Sequence, residues 1–248
     1  MTFLNMIRRA GVWAFLLFVG AAGPVRAGIH DRLMWTDSAV AAPDRHVAFR
    51  GTFSLDADTT VDLQLSGASW YVVWIDGEYF TEGPDRYTAA YPEYQLRSVD
   101  LKKGKHTIAV QLQYEGVVTR ILHPIQPFLY LEAAVGGKEL PIDWRCQRLA
   151  GYSSQVRRIN PQLGWIEWLD TRALQKDWQQ PAYDDSSWGK PVFVERAIGE
   201  FAASKIAPVK SLKIEPKLIA SGELAEVFGY PGDNPGASFF LRDLSPER

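Results

Sequence analysis

The chain has 248 residues, of which 46% are hydrophobic and 12% aromatic, so it can bury one large core or two modest ones. Its formal net charge is -2 and it has no run of five Lys or Arg residues, which argues against a nucleic-acid partner. Cys146 is the single cysteine, so we predict a buried, inert thiol and a fold stabilised without disulfides.

The first 27 residues have the pattern of a secretory signal peptide. Arg8 and Arg9 precede an apolar run over residues 12–22, and the small-residue stretch GPVRA ends at Ala27. This run is about half the roughly 20 apolar residues that a membrane span needs. We therefore predict cleavage that leaves Gly28 first, a secreted or periplasmic location, and no membrane span in the mature chain.

After the leader, the residue pattern changes from a polar lead-in to strands. Residues 28–44 are polar and rich in Ala and Asp, which predicts an exposed lead-in segment. From residue 45 the apolar period is two, as expected for half-buried strands. Two sets of residues each share one strand face: Val47, Phe49, Phe53 and Leu55, then Val61, Leu63 and Leu65.

Turn residues between the following strands predict three hairpins. WYVVWI, residues 70–75, is apolar on both faces and hence a central strand, and it ends at Asp76-Gly77, a type I′ turn dipeptide. Asp76 sits in the turn itself, and we expect its side chain to bond nearby backbone N–H groups. YQLRSVDL leads through KKGK into HTIAVQLQY, and FLYLEAAV leads through Gly136-Gly137 into ELPI.

These short strands predict an all-β fold, an antiparallel β-sandwich of jelly-roll, galactose-binding-like type over residues 45–200. The tryptophan-rich stretch from Trp144 to Ile198 is expected to close the same sandwich, because some 55 residues would bury a poor core alone. Residues 201–248 are rich in Pro, Lys, Gly and Asn, which indicates an irregular C-terminal extension.

Six segments in order resemble the N-terminal, non-catalytic region of bacterial α-L-rhamnosidases. They lie within residues 50–192 and read RGTFSL, YVVWIDGEYFTEGPDRY, VDLKKGKHTIAVQLQY, LEAAVGGKELPIDWRC, GWIEWLDTR and WQQPAYDDSSWGKPV. Asp76 departs from the family by replacing an asparagine, and Trp168 is an added aromatic. The resemblance implies that a helical barrel with the catalytic acids would follow. Residues 201–248 resemble the linker and opening strands that lead to it, so we expect a truncated or split member.

The hairpin loop after Asp76-Gly77 holds the main candidate site residues. Aromatic faces stack on sugars while Asp, Glu and Arg bond hydroxyls, so the loop is a candidate carbohydrate rim. The carbohydrate-binding candidates are Glu82, Asp85, Arg86, Tyr87, Glu167 and Trp168. The sequence also allows, and favours, a loop that only supports the sandwich.

Two acidic segments have plainer structural interpretations. In DDSSW, Asp184 to Trp188, we predict an Asx-turn or cap that returns the tryptophan to the sheet. Asp170 and Arg172 are predicted to pair on one face of a strand. No zinc spacing, phosphate loop or Gly-x-Ser-x-Gly elbow is present, so no cofactor and no metal site is predicted, and calcium stays open because sandwich modules leave no spacing pattern for it.

Together these patterns predict a secreted, non-catalytic carbohydrate-binding or accessory module of α-L-rhamnosidase type. Its expected partners are a carbohydrate, such as a rhamnose-containing glycan, and a separate catalytic domain. The alternative is a glycoside hydrolase, or a fragment of one, that acts on terminal rhamnosides. Hydrolysis needs two facing carboxyl groups, and Glu82 and Asp85, which flank Gly83-Pro84, are the candidate pair.

Overall fold

A computed structural model describes residues 28–36, 42–122, 125–153, 156–160, 162–208, 212, 214–219, 224–229 and 238–243. The predicted leader, residues 1–27, and parts of the C-terminal extension lie outside these ranges. The chain divides into two units, the first ending at Ile206 and the second beginning at Ala207.

Two β-sheets make up the first unit. Its elements are a 3-10 helix (Ile29–Arg32) and the strands β1 (Met34–Trp35), β2 (Arg45–Leu55), β3 (Thr59–Ala68), β4 (Trp70–Ile75), β5 (Glu78–Gly83), β6 (Glu93–Leu101), β7 (Gly104–Tyr114), β8 (Phe128–Val135), β9 (Lys138–Leu140), β10 (Asp143–Arg148), β11 (Val192–Phe193) and β12 (Ala202–Ala203). Sheet I has the order β10-β2-β7-β4-β5, and sheet II has the order β11-β1-β8-β3-β6-β12 with β9 also pairing β8. The described residues contain no α-helix, so the all-β prediction is confirmed.

The predicted apolar faces meet between the two sheets. Val47, Phe49, Phe53 and Leu55 of β2 and Val61, Leu63 and Leu65 of β3 are all buried in one core cluster. The alternation identified them because successive side chains of a strand point to opposite faces. Cys146 is buried in the same cluster, as predicted.

Two of the three predicted hairpins are confirmed, and one is wrong. β4 and β5 pair around Asp76 and Gly77, which both have positive φ (51° and 84°), and β8 pairs β9 around Gly136-Gly137. β6 and β7 are joined by residues 102–103 only, yet β6 pairs β3 in sheet II and β7 pairs β2 and β4 in sheet I. The short connection therefore crosses between sheets, a topology that alternation and turn residues do not distinguish from a hairpin.

The lead-in segment, which was expected to be exposed, is partly buried in the sandwich. Leu33, Met34 and Trp35 are buried, and β1 pairs with both β8 and β11 in sheet II. The polar character of residues 28–44 as a whole concealed this short apolar run. Two of its residues, Met34 and Trp35, form β1.

The tryptophan-rich stretch covers the outer face of sheet I, as a closing part of the sandwich. Trp178 and Trp188 are buried with Leu149 against Ala48 and Ala109, which point outward from β2 and β7. Phe201 and neighbouring residues cover the outer face of sheet II against Phe128 and Tyr130. Both sheets are therefore packed on two sides, in agreement with the apolar faces of residues 70–75.

Arg50 holds this closing segment on sheet I. Its guanidinium is buried and bonds Asp185 (Nε to Oδ2, 2.9 Å), the carbonyl oxygen of Trp178 and that of Gln180 (3.0 Å). The DDSSW prediction is confirmed: Asp184 accepts a hydrogen bond from the Ser186 N–H at 3.0 Å, and Trp188 returns to the sheet.

The second unit contains one described two-stranded sheet. Its strands are β13 (Leu224–Gly229) and β14 (Ser238–Asp243), which pair in antiparallel fashion.

Candidate functional site

The predicted loop lines a small pocket at one end of the sandwich. Asp85, Arg86 and Tyr87 line it together with Trp70, Ile121 and other, mostly apolar residues, and its volume is about 90 Å³. Glu82 is not among the lining residues: it lies on β5 with an exposed side chain. The structure thus brings three of the four loop candidates together in this loop pocket, and of the candidate catalytic pair only Asp85 lines it.

The polar groups of the loop pocket are engaged with the protein itself. The Tyr87 hydroxyl donates to the Gly67 carbonyl oxygen at 2.8 Å, and burial raises the pKa of Tyr87 well above its usual range. Asp85 accepts from the Ser204 hydroxyl at 2.8 Å, and Arg86 donates to the Arg120 carbonyl oxygen at 3.2 Å. These bonds support the scaffolding interpretation, and a pocket this small is well below the roughly 300–1,000 Å³ of typical ligand sites.

Glu167 and Trp168 lie apart from the loop pocket. Both side chains are exposed, and the Trp168 carbonyl oxygen accepts from the Ser153 N–H at 2.9 Å in the segment that covers sheet I. Asp170 and Arg172 do form the predicted ion pair (Oδ2 to Nη2, 2.8 Å), which holds the pKa of Asp170 at about 2. The prediction that they sit on a strand is wrong, because they occupy a turn.

Glu115 is a carboxylate that the sequence did not single out. Its side chain is buried at the end of β7, next to Gly164 and within hydrogen-bonding reach of the Trp70 indole. Burial raises its pKa, while hydrogen bonds from Trp165 and Trp70 act in the opposite direction. Only contacts in three dimensions reveal this residue, because it continues the polar face of an ordinary alternating strand.

A second and larger pocket lies where one edge of β8 is unpaired. β3 pairs one edge of β8 along residues 128–134, and β1 and β9 therefore share the other edge. β1 reaches Leu129 and β9 begins at Ala133, so no described strand pairs that edge between them. The resulting opening, which we call the edge cleft, has a volume of about 340 Å³ and falls within the range of ligand sites.

One arginine and two glutamates in the lining of the edge cleft form a network of ion pairs. Arg32 bonds Glu139 (Nη1 to Oε1, 2.8 Å) and also pairs with Glu132. The bond to Glu139 raises the pKa of Arg32, opposed by burial and aided by the charge of Glu132. Glu132 Oε2 lies 3.0 Å from the Tyr130 hydroxyl, whose pKa is raised by burial and by the Glu132 charge. The cleft therefore presents fixed, charged hydrogen-bonding groups.

Apart from Asp31, the rest of the edge cleft is apolar and partly aromatic. Its lining includes Met34, Leu131, Ala133, Leu140, Ile142, Trp144 and Phe193. Phe193 is 74% exposed, and Trp144 is half-buried beside Gly51 of β2. A Cβ atom at position 51 would lie 2.9 Å from the Trp144 ring, so the glycine of the RGTF segment makes room for this indole.

The two glutamates of the edge cleft are both engaged by Arg32. Both carboxylates contact the same guanidinium, whereas glycoside hydrolysis uses two carboxyl groups on either side of the scissile bond. Aromatic surface beside a few convergent polar groups is instead typical of a ligand site. Sequence reasoning missed this site because Arg32, Glu132 and Glu139 come from separate elements and carry no motif.

Two features of the described residues concern metal binding and membrane crossing. No group of three or more His, Cys, Asp or Glu side chains there could hold a metal ion. None of the helices in that part of the chain is long and apolar enough to cross a membrane.

The chain is similar in structure to parts of known α-L-rhamnosidases. The GH78 family rhamnosidase of Bacillus sp. GL1 matches 81% of this chain with a TM-score of 0.66 and 24% identity, and the α-L-rhamnosidase from Dictyoglumus thermophilum matches 72% with a TM-score of 0.52 and 18% identity. A lectin from Pleurotus ostreatus in complex with GalNAc matches 66% of this chain, over 43% of its own length, with a TM-score of 0.45 and 12% identity. No family model and no curated protein matches the sequence.

These matches confirm the predicted resemblance at the level of the fold. The chain has the fold of a module of α-L-rhamnosidases, and it spans about a fifth of the length of these two enzymes, 21% and 22%. The β-sandwich is therefore shared with only part of each rhamnosidase.

Proposed function

We propose that this chain is an exported, non-catalytic module that binds carbohydrate in the edge cleft and serves a separate catalytic domain of α-L-rhamnosidase type. The observation that carries the proposal is the cleft, where Arg32, Glu132 and Glu139 converge beside Trp144 and Phe193. The fold is that of a rhamnosidase module, which supports an accessory role, and a rhamnose-containing glycan is the ligand to test first.

The chemistry of the cleft fits a neutral sugar. Arg32 donates several N–H groups and the glutamates accept, so hydroxyl groups can replace parts of the ion network without leaving a buried charge unpaired. The flat faces of Trp144 and Phe193 can cover the C–H surface of a pyranose ring. In contrast, the groups of the loop pocket would first have to give up bonds that support the fold.

Binding is tested by calorimetric titration of L-rhamnose and rhamnose-containing oligosaccharides into the chain from Gly28 onward, which keeps every described residue. Phe193→Ala and Glu139→Gln should each weaken binding about tenfold or more, as expected when a central contact is lost. The matched controls are Leu96→Ala, another exposed apolar side chain on sheet II, and Asp58→Asn, another exposed ion-pair partner; both should bind like the parent chain.

Variants of the loop pocket test, in the same titration, whether the sugar binds there and not in the edge cleft. Arg86→Ala with Tyr87→Ala should leave binding intact but lower the free energy of unfolding by about 2–4 kcal/mol, mostly through loss of the packed Tyr87 ring and its bond to Gly67. A loop variant that melts like the parent chain but no longer binds would move the site to the loop. Turnover of an aryl α-L-rhamnoside that disappears in Glu82→Ala or Asp85→Ala would support the hydrolase instead.

A further inference from the structure

Two arginines are neighbours on the inner face of sheet I, where β2 begins and β10 ends. Arg148 lies opposite the core residue Val47 in the pairing of β10 with β2, and Arg45 precedes Val47 by two positions. Alternation places all three side chains on one face, so the two arginines are diagonal neighbours across the strand pair. Burial lowers the pKa of Arg45, and the nearby charge of Arg148 lowers it further. The fold therefore holds two like charges close together.

A third arginine reaches the same end of the sandwich. Tyr114 of β7 lies opposite Arg45, and the charge of Arg196 opposes the effect of burial, which raises the pKa of Tyr114. Arg196 donates from Nε to the Pro127 carbonyl oxygen at 2.9 Å and from Nη1 to the Glu195 carbonyl oxygen at 3.0 Å. These bonds orient the guanidinium without supplying a negative charge. We use the term arginine cluster for Arg45, Arg148 and Arg196.

The arginine cluster has no counter-charge within the described part of the chain. The side chains of Arg45 and Arg148 form no hydrogen bond and no ion pair there. Asp44 precedes Arg45, but its carboxylate contacts His46 (3.4 Å) and Gln113 (3.2 Å), which belong to the opposite face of sheet I. Adjacent like charges destabilise a strand pair, and an anion bound between them would remove that cost.

The arginine cluster lies along the side of the sandwich that holds the edge cleft. Trp144 lines the cleft and precedes Arg148 by four positions on the same face of β10, which is about 13 Å along the strand. Phe193 also lines the cleft, and it precedes Arg196 by three positions. A glycan of a few linked sugars that enters the cleft can therefore extend to the arginines.

We propose that the arginine cluster binds the carboxylate of a uronic acid residue in a glycan. Each planar guanidinium presents paired N–H donors, which fit the two oxygens of a carboxylate. The inference rests on the proposed carbohydrate function and adds that the glycan is acidic: a neutral sugar occupies the edge cleft while a charged one contacts the arginines. Inorganic sulfate presents oxygens of the same kind, so the experiment has to separate it from the sugar.

A matched pair of oligosaccharides tests the proposal. In one, rhamnose alternates with galacturonate, and the other is the same compound with its carboxylates methyl-esterified. In calorimetric titration of the chain from Gly28 onward, the acidic form should bind at least about tenfold more tightly than the ester, and added salt should reduce the difference. Arg45→Gln with Arg148→Gln should lower the affinity for the acidic form to that for the ester. Arg145→Gln, on β10 but on its other face, is the matched control and should keep the difference.

The outcomes separate the arginine cluster from the edge cleft. Equal affinity for the two forms, or a difference that survives the double substitution, would overturn the uronate site and leave the carbohydrate proposal intact. If neither form binds, the carbohydrate proposal fails, and galacturonate alone then tests the arginines. At constant ionic strength it should raise the melting temperature of the parent chain and not that of the double variant, whereas galactose should raise neither. Absence of that rise would overturn the uronate site.

Two further measurements exclude other roles of the arginines. A rise in melting temperature with sodium sulfate that equals the rise with galacturonate would indicate a site for anions in general and contradict the assignment to an acidic sugar. The double variant without ligand should melt no lower than the parent chain, because the substitutions remove no counter-charge. A markedly lower melting temperature would show that Arg45 and Arg148 support the fold instead.

Discussion

At the scale of single residues, burial decides how much an arginine–aspartate pair contributes. Arg50 and Asp185 are separated by 135 positions in the sequence, and the guanidinium is 1% exposed. Arg172 and Asp170 are two positions apart, and the arginine side chain is 89% exposed. The distances are nearly equal, 2.9 and 2.8 Å, so the surroundings and not the contact itself distinguish the two pairs.

The two pairs therefore predict different costs of substitution. Arg50→Ala should lower the free energy of unfolding by about 3–5 kcal/mol, because Asp185 and the carbonyl oxygens of Trp178 and Gln180 lose a buried donor. Arg172→Ala should leave it nearly unchanged, because water screens and replaces the exposed pair. Urea denaturation of both variants measures this, and equal losses would show that Arg50 does not anchor the closing segment.

At the scale of elements, the side chain of Asp76 links the β4–β5 turn to the neighbouring strand β7. Asp76 Oδ1 accepts from the Thr107 N–H at 2.8 Å, and Oδ2 lies 2.6 Å from His106 Nδ1. Asp76 therefore does bond a backbone N–H, as expected, and that N–H belongs to Thr107 on the neighbouring strand β7. β7 runs beside β4 in sheet I, so the start of β7 lies next to the turn and offers better-placed donors.

The stabilisation that the contact between Asp76 and His106 provides should depend on pH. His106 Nε2 faces the Lys102 carbonyl oxygen at 2.7 Å, so both ring nitrogens have acceptors and the protonated ring satisfies both. Burial lowers the pKa of His106, but the bonds to Asp76 and Lys102 outweigh it and raise the pKa overall. The resulting stabilisation is complete below the unfolded pKa of about 6.5 and is lost as the pH rises through the higher folded value.

His106→Gln tests the sign of this dependence. The loss of unfolding free energy caused by the substitution should be larger on the acidic side of about pH 6.5 than in mildly alkaline buffer. Denaturant titrations across that range provide the measurement, with His30→Gln as a control at a more exposed histidine. A loss that is constant with pH, or one that grows as the pH rises, would contradict the assignment.

At the scale of the whole molecule, the sandwich is packed on both outer faces and still leaves one edge of sheet II open. Chain segments that follow the strands cover the outer faces, with Trp178 and Trp188 on sheet I and Phe201 on sheet II. The edge cleft remains because β1 and β9 are too short to meet along β8. The candidate site is thus a consequence of the short length of the two strands that share this edge of β8.

Export is the prediction that concerns the chain as a whole. We propose that it is cleaved behind Ala27, because small residues follow a short apolar run there. Mass spectrometry of material recovered from the exported fraction should show Gly28 as the first residue. A membrane-bound form that begins at Met1 would contradict both export with cleavage and the proposed role outside the cytoplasm.

The sequence by itself determined the faces of the strands and the chemistry of the turns. Alternation placed Val61, Leu63 and Leu65 in the core, Asp76-Gly77 and Gly136-Gly137 marked true hairpins, and Asp184 marked its Asx-turn. These features depend on neighbours within a few residues, where side-chain alternation and backbone φ act directly. The ordered motifs also identified the rhamnosidase-type fold, although 24% identity was too low for more than the fold.

Only the tertiary structure decided which sheet each strand joins and which polar groups meet. A two-residue connection between β6 and β7 looks the same in sequence whether the strands pair or cross to opposite sheets. Arg32 reaches Glu139 across 107 positions, and Arg50 reaches Asp185 across 135. Charged side chains at such separations leave no periodic signal in the sequence. Their pairing depends on how the two sheets pack, and the strand order of each sheet is a property of the whole fold.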